Sequence, residues 1–192
     1  MKLVKCFFIG DGTVGKTSII LRYSLGVFKN YYLPTVLETT CFNVFVKNEK
    51  IELWVCDVIE QDDYMNRLPM LYNGIDLFVV CYSVVDVNSF EHVVTKWKSN
   101  IEYYSPNTPL MLLGTKIDLR EENKKVVKPI QNKVNWISTE QGINKAKEIK
   151  AVLFMECSSL TGFNITTLFQ NIAKVAKPQT VFSKTNGYCF IF

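Results

Sequence analysis

The sequence holds one histidine, His92, in 192 residues. Histidine-based triads and metal sites built from several imidazoles are therefore excluded by count. Its six cysteines, Cys6, Cys41, Cys56, Cys81, Cys157 and Cys189, nowhere form a C-x-x-C pair, which argues against a zinc ribbon or a thioredoxin-like redox motif. Cys6, Cys56, Cys81 and Cys157 lie in or at the ends of apolar runs and read as buried free thiols, a usage that suits a reducing compartment. Long hydrophobic runs are also missing. The longest, Leu77 to Val85, reaches about half of the ~18 residues that a membrane span needs. Met1-Lys2 leads straight into an apolar stretch, so no N-terminal signal peptide is expected. There is no internal repeat and no low-complexity segment. The net charge of +4 is small and not gathered in one block, so no nucleic-acid partner is expected.

What is present fits one globular domain with a full-sized core: 48% of residues are hydrophobic and 21% charged. Strand-like apolar runs alternate with helix-period segments, the pattern of a mainly parallel sheet covered on both faces. Residues 3–9 read as the first strand and 16–25 as a helix with Ile19, Ile20 and Tyr23 on one face. Residues 26–38, with Gly26, Asn30 and Pro34, read as an exposed loop. Cys41–Val46 and Ile51–Cys56 read as strands joined across Lys47-Asn48-Glu49-Lys50, one antiparallel pair in an otherwise parallel sheet. Irregular sequence follows Asp57 to about Gly74. Then come a central strand, Leu77–Ser83, and a helix opened by Asn88-Ser89-Phe90 that carries Val93, Val94, Trp97 and Ile101. Pro109–Leu113 is the next strand. A helix over Thr139–Lys150 capped by Thr139, a strand over Val152–Cys157, and a last helix from Asn164 to about Ala176 complete the order.

The most informative stretch is Gly10-Asp11-Gly12-Thr13-Val14-Gly15-Lys16-Thr17, which matches G-x-x-x-x-G-K-[ST] between a strand and a helix. Glycines let successive backbone N–H groups converge on one centre, and the helix N-terminus adds positive potential there. Lys16 would reach the β- and γ-phosphates of a nucleotide, and the Thr17 hydroxyl would hold Mg²⁺. The plainer alternative, a glycine-rich turn, needs no lysine–threonine pair at that spacing. Asp57 closes a strand, the usual place for a carboxylate that holds Mg²⁺ through water. Lys116 and Asp118 follow another strand directly. A carboxylate there can accept the two N–H groups that guanine presents and adenine does not. Alone, Thr115-Lys116-Ile117-Asp118 reads more readily as a solvated turn; with a phosphate loop upstream, a base reader is favoured. Such sites lie outside the carboxyl ends of the strands, where all these motifs fall.

Together these residues resemble the Ras-like small GTPases, and within them the Rho/Rac branch. The carriers are the phosphate loop, Tyr32-Leu33-Pro34-Thr35-Val36, Asp57 with Gln61, Thr115-Lys116-Ile117-Asp118, and Glu156-Cys157-Ser158-Ser159-Leu160. Threonine at 115, where most Ras-like proteins have asparagine, and an inserted segment near 121–136 point to the Rho branch. The resemblance implies a six-stranded, mostly parallel α/β sheet with one antiparallel strand and helices on both faces. It implies a GTP-binding domain over 1–177 and a flexible tail over 178–192. Nucleotide contacts are implied for Gly12, Thr13, Val14, Gly15, Lys16, Thr17, Ser18, Phe28, Tyr32, Pro34, Thr35, Asp57 and Glu60, and for Thr115, Lys116, Asp118, Leu119, Ser158, Ser159 and Leu160. Phe28 would pack on the guanine ring, Tyr32 would lie over the phosphates, and Thr17, Thr35 and Asp57 would serve Mg²⁺. Gln61 would orient the attacking water, assisted by Lys16 and Thr35, with an arginine supplied by an activating protein. Effectors would meet residues 30–40 and 60–72; exchange factors and a GDI-like carrier are further implied partners, with a monomeric protein as the working unit.

The departures from that family are informative. Where it reads Thr-Ala-Gly between Asp57 and Gln61, this chain reads Val58-Ile59-Glu60. A glutamate lacks glycine's backbone freedom at the hinge that meets the γ-phosphate. At about 7 Å and an effective dielectric of about 20, each like charge it brings costs roughly 2 kcal/mol. GTP binding is expected to survive and hydrolysis to be weakened; the alternative is a scaffold that holds GTP permanently, or holds no nucleotide. Leu37-Glu38 stands where Rac-like proteins carry Phe-Asp, which would alter effector choice. The last four residues, Cys189-Phe190-Ile191-Phe192, fit C-a-a-X with a terminal residue that favours geranylgeranyl. Only Lys174, Lys177 and Lys184 lie near, without a second cysteine, so reversible association with the cytoplasmic face of a membrane is expected. The lysines of the insertion (Lys124, Lys125, Lys128, Lys133) read as a solvated face.

Overall fold

The computed structural model describes residues 2–29, 37–58, 71–120 and 136–176. The elements are β1 (Lys2–Ile9), α1 (Lys16–Leu25), β2 (Leu37–Val46), β3 (Glu49–Val58), β4 (Leu77–Ser83), α2 (Val87–His92), a π-helical stretch (Val93–Lys98), α3 (Ser99–Tyr104), β5 (Leu110–Thr115), α4 (Thr139–Glu148), β6 (Phe154–Glu156) and α5 (Ile165–Val175). Six strands form one sheet in the order β2-β3-β1-β4-β5-β6. Every neighbouring pair is parallel except β2 and β3. The inserted segment, apart from residue 136, and the tail lie outside the described residues, as does the irregular stretch after Val58 up to residue 70.

Alternation along β1 explains how the sheet is covered twice. Val4, Cys6 and Phe8 point to a core that includes Ile19 and Ile20 of α1 and Leu168, Phe169 and Ile172 of α5. Phe7 and Ile9 point the other way, to Val93, Trp97, Ile101 and Ala146. Helices therefore sit on both faces, and β4, in the middle, is buried along its whole length, as a strand covered on both sides must be. Tyr23 stacks on Phe169 (centroids 3.9 Å apart) and meets Phe42 edge-on, pinning α1 to α5 and β2.

Several boundaries differ from the reading of the sequence. The hairpin turn has two residues, not four: Lys47 (φ 48°) and Asn48 (φ 66°) are both left-handed, and Val46 pairs with Glu49, the two-residue turn whose twist matches its strands. β2 starts at Leu37 rather than Cys41, because pairing of Leu37 with Val58 extends the ladder through polar residues that hide a strand. β6 is shorter than Val152–Cys157; Val152 is half exposed. α4 is capped by Ser138, not Thr139. Ser138 accepts from the Gln141 N–H while Gln141 accepts from the Ser138 N–H, a full capping box. Asn164 precedes α5 but does not cap it with its side chain. Its backbone is left-handed (φ 61°), and its amide donates to the Glu156 carbonyl at 2.9 Å. Helical periodicity gave no warning of the π-helical stretch. Cys56, read as buried, is half-buried; Cys6, Cys81 and Cys157 are buried free thiols.

Candidate functional site

The glycine-rich turn leaves β1 at the carboxyl edge of the sheet, and its glycines are required by contact as well as by dihedral. A Cβ on Gly10 (φ 144°) would lie 2.3 Å from the carbonyl oxygen of Cys81 in β4. The loop thus rests directly on the central strand, where only a hydrogen fits. Gly15 (φ 103°) sits at the N-cap of α1 in a conformation that side-chain-bearing residues rarely adopt. A Cβ there would stand 3.8 Å from the Lys116 side chain, so the stem of Lys116 runs alongside the loop. Gly12 and Thr13 are exposed at its crest, Val14 is buried, and Ser18 is half-buried in the first turn of α1.

Lys16 is almost fully buried. Its ammonium donates to the carbonyls of Gly10 (2.6 Å) and Asp11 (2.8 Å), so the charge is delivered beneath the loop's crest. The Thr17 hydroxyl donates to Oδ2 of Asp57 at 2.5 Å, which joins the first turn of α1 to the end of β3. A hydroxyl and a carboxylate in contact, both oxygen donors, are the chemistry that Mg²⁺ selects. The donor set fits that ion, which when bound would neutralise charge on phosphate oxygens. Below them Cys81 is held neutral: burial raises its thiol most, Lys16 lowers it and Asp57 raises it, leaving it pushed up to about 12. It is packing, not a nucleophile.

The segments that follow β5 and β6 are braced from several directions. Thr115, buried at the end of β5, donates its hydroxyl to the carbonyl of Val14 at 2.5 Å and is also within 3.1 Å of the Tyr82 carbonyl. Its side chain is thereby committed to locking the phosphate loop onto the following Lys116-Ile117-Asp118 segment. Lys116 is left-handed (φ 58°), which turns the chain so that Asp118 meets Ser158. The Ser158 hydroxyl donates to Oδ1 of Asp118. Ser158 is buried, Ser159 and Leu119 are half-buried, and Leu160 is exposed. Phe28, beyond the end of α1, is half-buried.

The structure therefore brings together the phosphate loop, Thr17, Asp57, Thr115, Lys116, Asp118 and Ser158 at one edge of the sheet. Tyr32, Pro34, Thr35, Glu60, Gln61 and Cys189 lie outside the described residues.

Two arrangements escaped the sequence. Arg120 grips Glu156 with both ends of its guanidinium (2.7 Å each) and donates also to the Ile137 carbonyl at 3.0 Å; Thr139 donates to the same carboxylate at 2.9 Å. This pair fastens the segment bearing Asp118 to the strand that leads into Ser158. An arginine two residues past Asp118 was its only trace. The second is a pair of contacts on Asp11. The Trp97 indole donates to Oδ1 at 2.7 Å, and Nδ1 of His92 lies 2.5 Å from Oδ2. Separations of 86 and 81 residues leave no local signal.

With the geometry in hand, one comparison is decisive: the model of the Ras family matches residues 5–177, a span that runs from within β1 past the end of α5.

Proposed function

Since the chain belongs to the Ras family of small GTPases, we propose that it is a guanine-nucleotide switch of the Rho branch. In this reading it carries a lipid at its tail and hydrolyses GTP slowly. The observation that carries the nucleotide reading is the brace from Thr115 to Val14 (2.5 Å). It ties a phosphate cradle containing a buried lysine to a carboxylate that is held by Ser158 and can read guanine's two N–H groups. In this reading Gly12 to Ser18 surround the phosphates, and Lys16 neutralises them. Thr17 and Asp57, with Thr35, hold Mg²⁺. Phe28, Lys116, Asp118, Leu119, Ser158, Ser159 and Leu160 enclose the base, with Thr115 acting as their strut. Tyr32, Pro34 and Glu60 close the phosphate side and Gln61 directs water.

The test is nucleotide choice. A fluorescent guanine nucleotide with Mg²⁺ should bind and resist competition by ATP. Asp118→Asn should weaken guanine binding and favour xanthine nucleotides, whose C2 carbonyl suits an amide donor. Equal competition by adenine nucleotide would refute the reading.

The Rho assignment is supported by Thr115, the 121–136 insertion and Tyr32-Leu33-Pro34-Thr35-Val36; control of the actin cytoskeleton follows from that assignment. Slow hydrolysis is supported by Val58-Ile59-Glu60, which put bulk and charge where the family keeps Thr-Ala-Gly. Single-turnover hydrolysis should be slow and should speed up on Glu60→Gly; an ordinary small-GTPase rate, unchanged by that reversion, would refute it. The same three residues support the alternative of a scaffold that retains GTP, which the nucleotide recovered with the purified protein decides: GTP for the scaffold, GDP for turnover. Cys189-Phe190-Ile191-Phe192 supports geranylgeranylation and reversible residence at the cytoplasmic face of a membrane, the plasma membrane first, with a GDI-like carrier as the extracting partner. Cys189→Ser should abolish membrane partitioning. Effectors would bind through residues 30–40 and 60–72, and exchange factors and activating proteins would act on a monomer.

A further inference from the structure

The helix that follows β4 changes its hydrogen-bonding pattern midway, from α (Val87–His92) to π (Val93–Lys98) and back to α (Ser99–Tyr104). Such stretches cost hydrogen-bond geometry and collect at functional positions. Their geometric effect here is specific. His92 and Trp97 are five residues apart. In an α-helix of 3.6 residues per turn, side chains at that spacing diverge by about 140°. In a π-helix, bonded i→i+5 with about 4.4 residues per turn, they diverge by roughly 50°. Both side chains can then reach one point, and that point is the carboxylate of Asp11 in the phosphate loop. Trp97 donates from its indole nitrogen to Oδ1 at 2.7 Å. Nδ1 of His92 lies 2.5 Å from Oδ2, and since a carboxylate oxygen accepts, the ring nitrogen is the donor of this pair. Each carboxylate oxygen thus has its own donor from the same helix face.

The consequence passes through the backbone of Asp11, whose carbonyl accepts from the Lys16 ammonium at 2.8 Å. We propose that the π-helical stretch is a clamp on the phosphate loop. His92 and Trp97 are positioning residues that hold Asp11, and through its carbonyl Lys16, in the arrangement that retains the nucleotide. The clamp rests on the guanine-nucleotide reading and extends it to two residues whose contact is with Asp11. Trp97 is nearly buried and its removal would also open a cavity, so His92, with a side chain 46% exposed, is the cleaner probe.

The experiment follows displacement of a methylanthraniloyl guanosine diphosphate from the full chain by excess unlabelled nucleotide, at fixed Mg²⁺ and salt. His92→Leu should speed release about five-fold, the loss expected of one ordinary hydrogen bond from a half-exposed side chain. His92→Gln, which keeps an N–H donor, should stay within about twofold of the wild type, a rescue that mere packing would not give. In an Asp11→Asn background, His92→Leu should add less than twofold. Unchanged melting temperature in His92→Leu would separate the clamp from general stability. Release unaffected by His92→Leu, or accelerated equally in the Asp11→Asn background, overturns the clamp while leaving the nucleotide reading intact. A wild-type protein that retains no guanine nucleotide overturns that reading, and the clamp with it.

Discussion

Replacing Glu156 by glutamine tests how far the base-side architecture depends on one ion pair. The carboxylate is 12% exposed and the Arg120 side chain 6%, so solvent screens the pair little and the discount appropriate to surface pairs is small. Glutamine keeps the shape. It removes the charge and turns one acceptor into a donor that faces another donor, so one of the two 2.7 Å bonds is lost and the other weakened. Breaking one side of a buried pair costs about 3–5 kcal/mol; since glutamine retains one acceptor, about 3 kcal/mol is expected. For a chain of this size that is a fall in melting temperature of roughly 6–12 °C. The assay is urea unfolding with nucleotide and Mg²⁺ held constant, because ligand linkage otherwise shifts the midpoint. The double variant Arg120→Met, Glu156→Gln removes the cation as well and should be more stable than Glu156→Gln alone, the signature of coupling. Costs of the two changes that simply add would refute the reasoning, as would a loss below about 0.5 kcal/mol for Glu156→Gln, the level of an ordinary surface substitution. Nucleotide release should accelerate in the single variant, because the pair joins the segments that carry Asp118 and Ser158.

Other outcomes follow from packing and protonation. Gly142→Ala should destabilise by about 1 kcal/mol even though alanine favours helix, since its Cβ would lie 2.4 Å from Phe154 Cζ and 2.6 Å from the Tyr82 hydroxyl; a more stable variant in thermal unfolding would refute it. That hydroxyl is buried with no hydrogen-bond partner among the described residues. Tyr82→Phe should therefore be neutral or stabilising by up to about 1 kcal/mol, and should lessen the Gly142→Ala penalty. The thiols of Cys6, Cys81 and Cys157 are all raised, by burial first. Their contribution is fully present below about pH 9, where thiols are protonated in both states. Above it the unfolded chain loses protons that the folded chain keeps, so stability falls as pH rises towards the folded value, about 12 for Cys81. Each thiol should cost about 1.4 kcal/mol per pH unit in that window. Urea midpoints from pH 8 to 10 should show the decline, with a shallower slope in Cys81→Ala, and a flat profile would refute it.

The sequence by itself determined the chemistry at the sheet edge. Gly10 to Thr17, Asp57 and Thr115 to Asp118 are short-range patterns at strand ends, and their type and spacing single out the residues that the fold gathers at that edge. It also determined the order of strands and helices, since periodicity is a local property. Boundaries were less legible: the two-residue turn at Lys47-Asn48 depends on dihedrals, and the start of β2 on pairing with a strand that follows it. Tertiary structure alone decided how the local patterns are held. Thr115, read as a nucleotide contact, braces Val14, 101 residues away. Arg120 and Glu156 became one joint, and His92 and Trp97 converged on Asp11 only because a helix turned π between them. A pattern along the chain records which groups are present; which of them touch is fixed by closing long loops around a common core, and spacing in sequence carries no record of that distance.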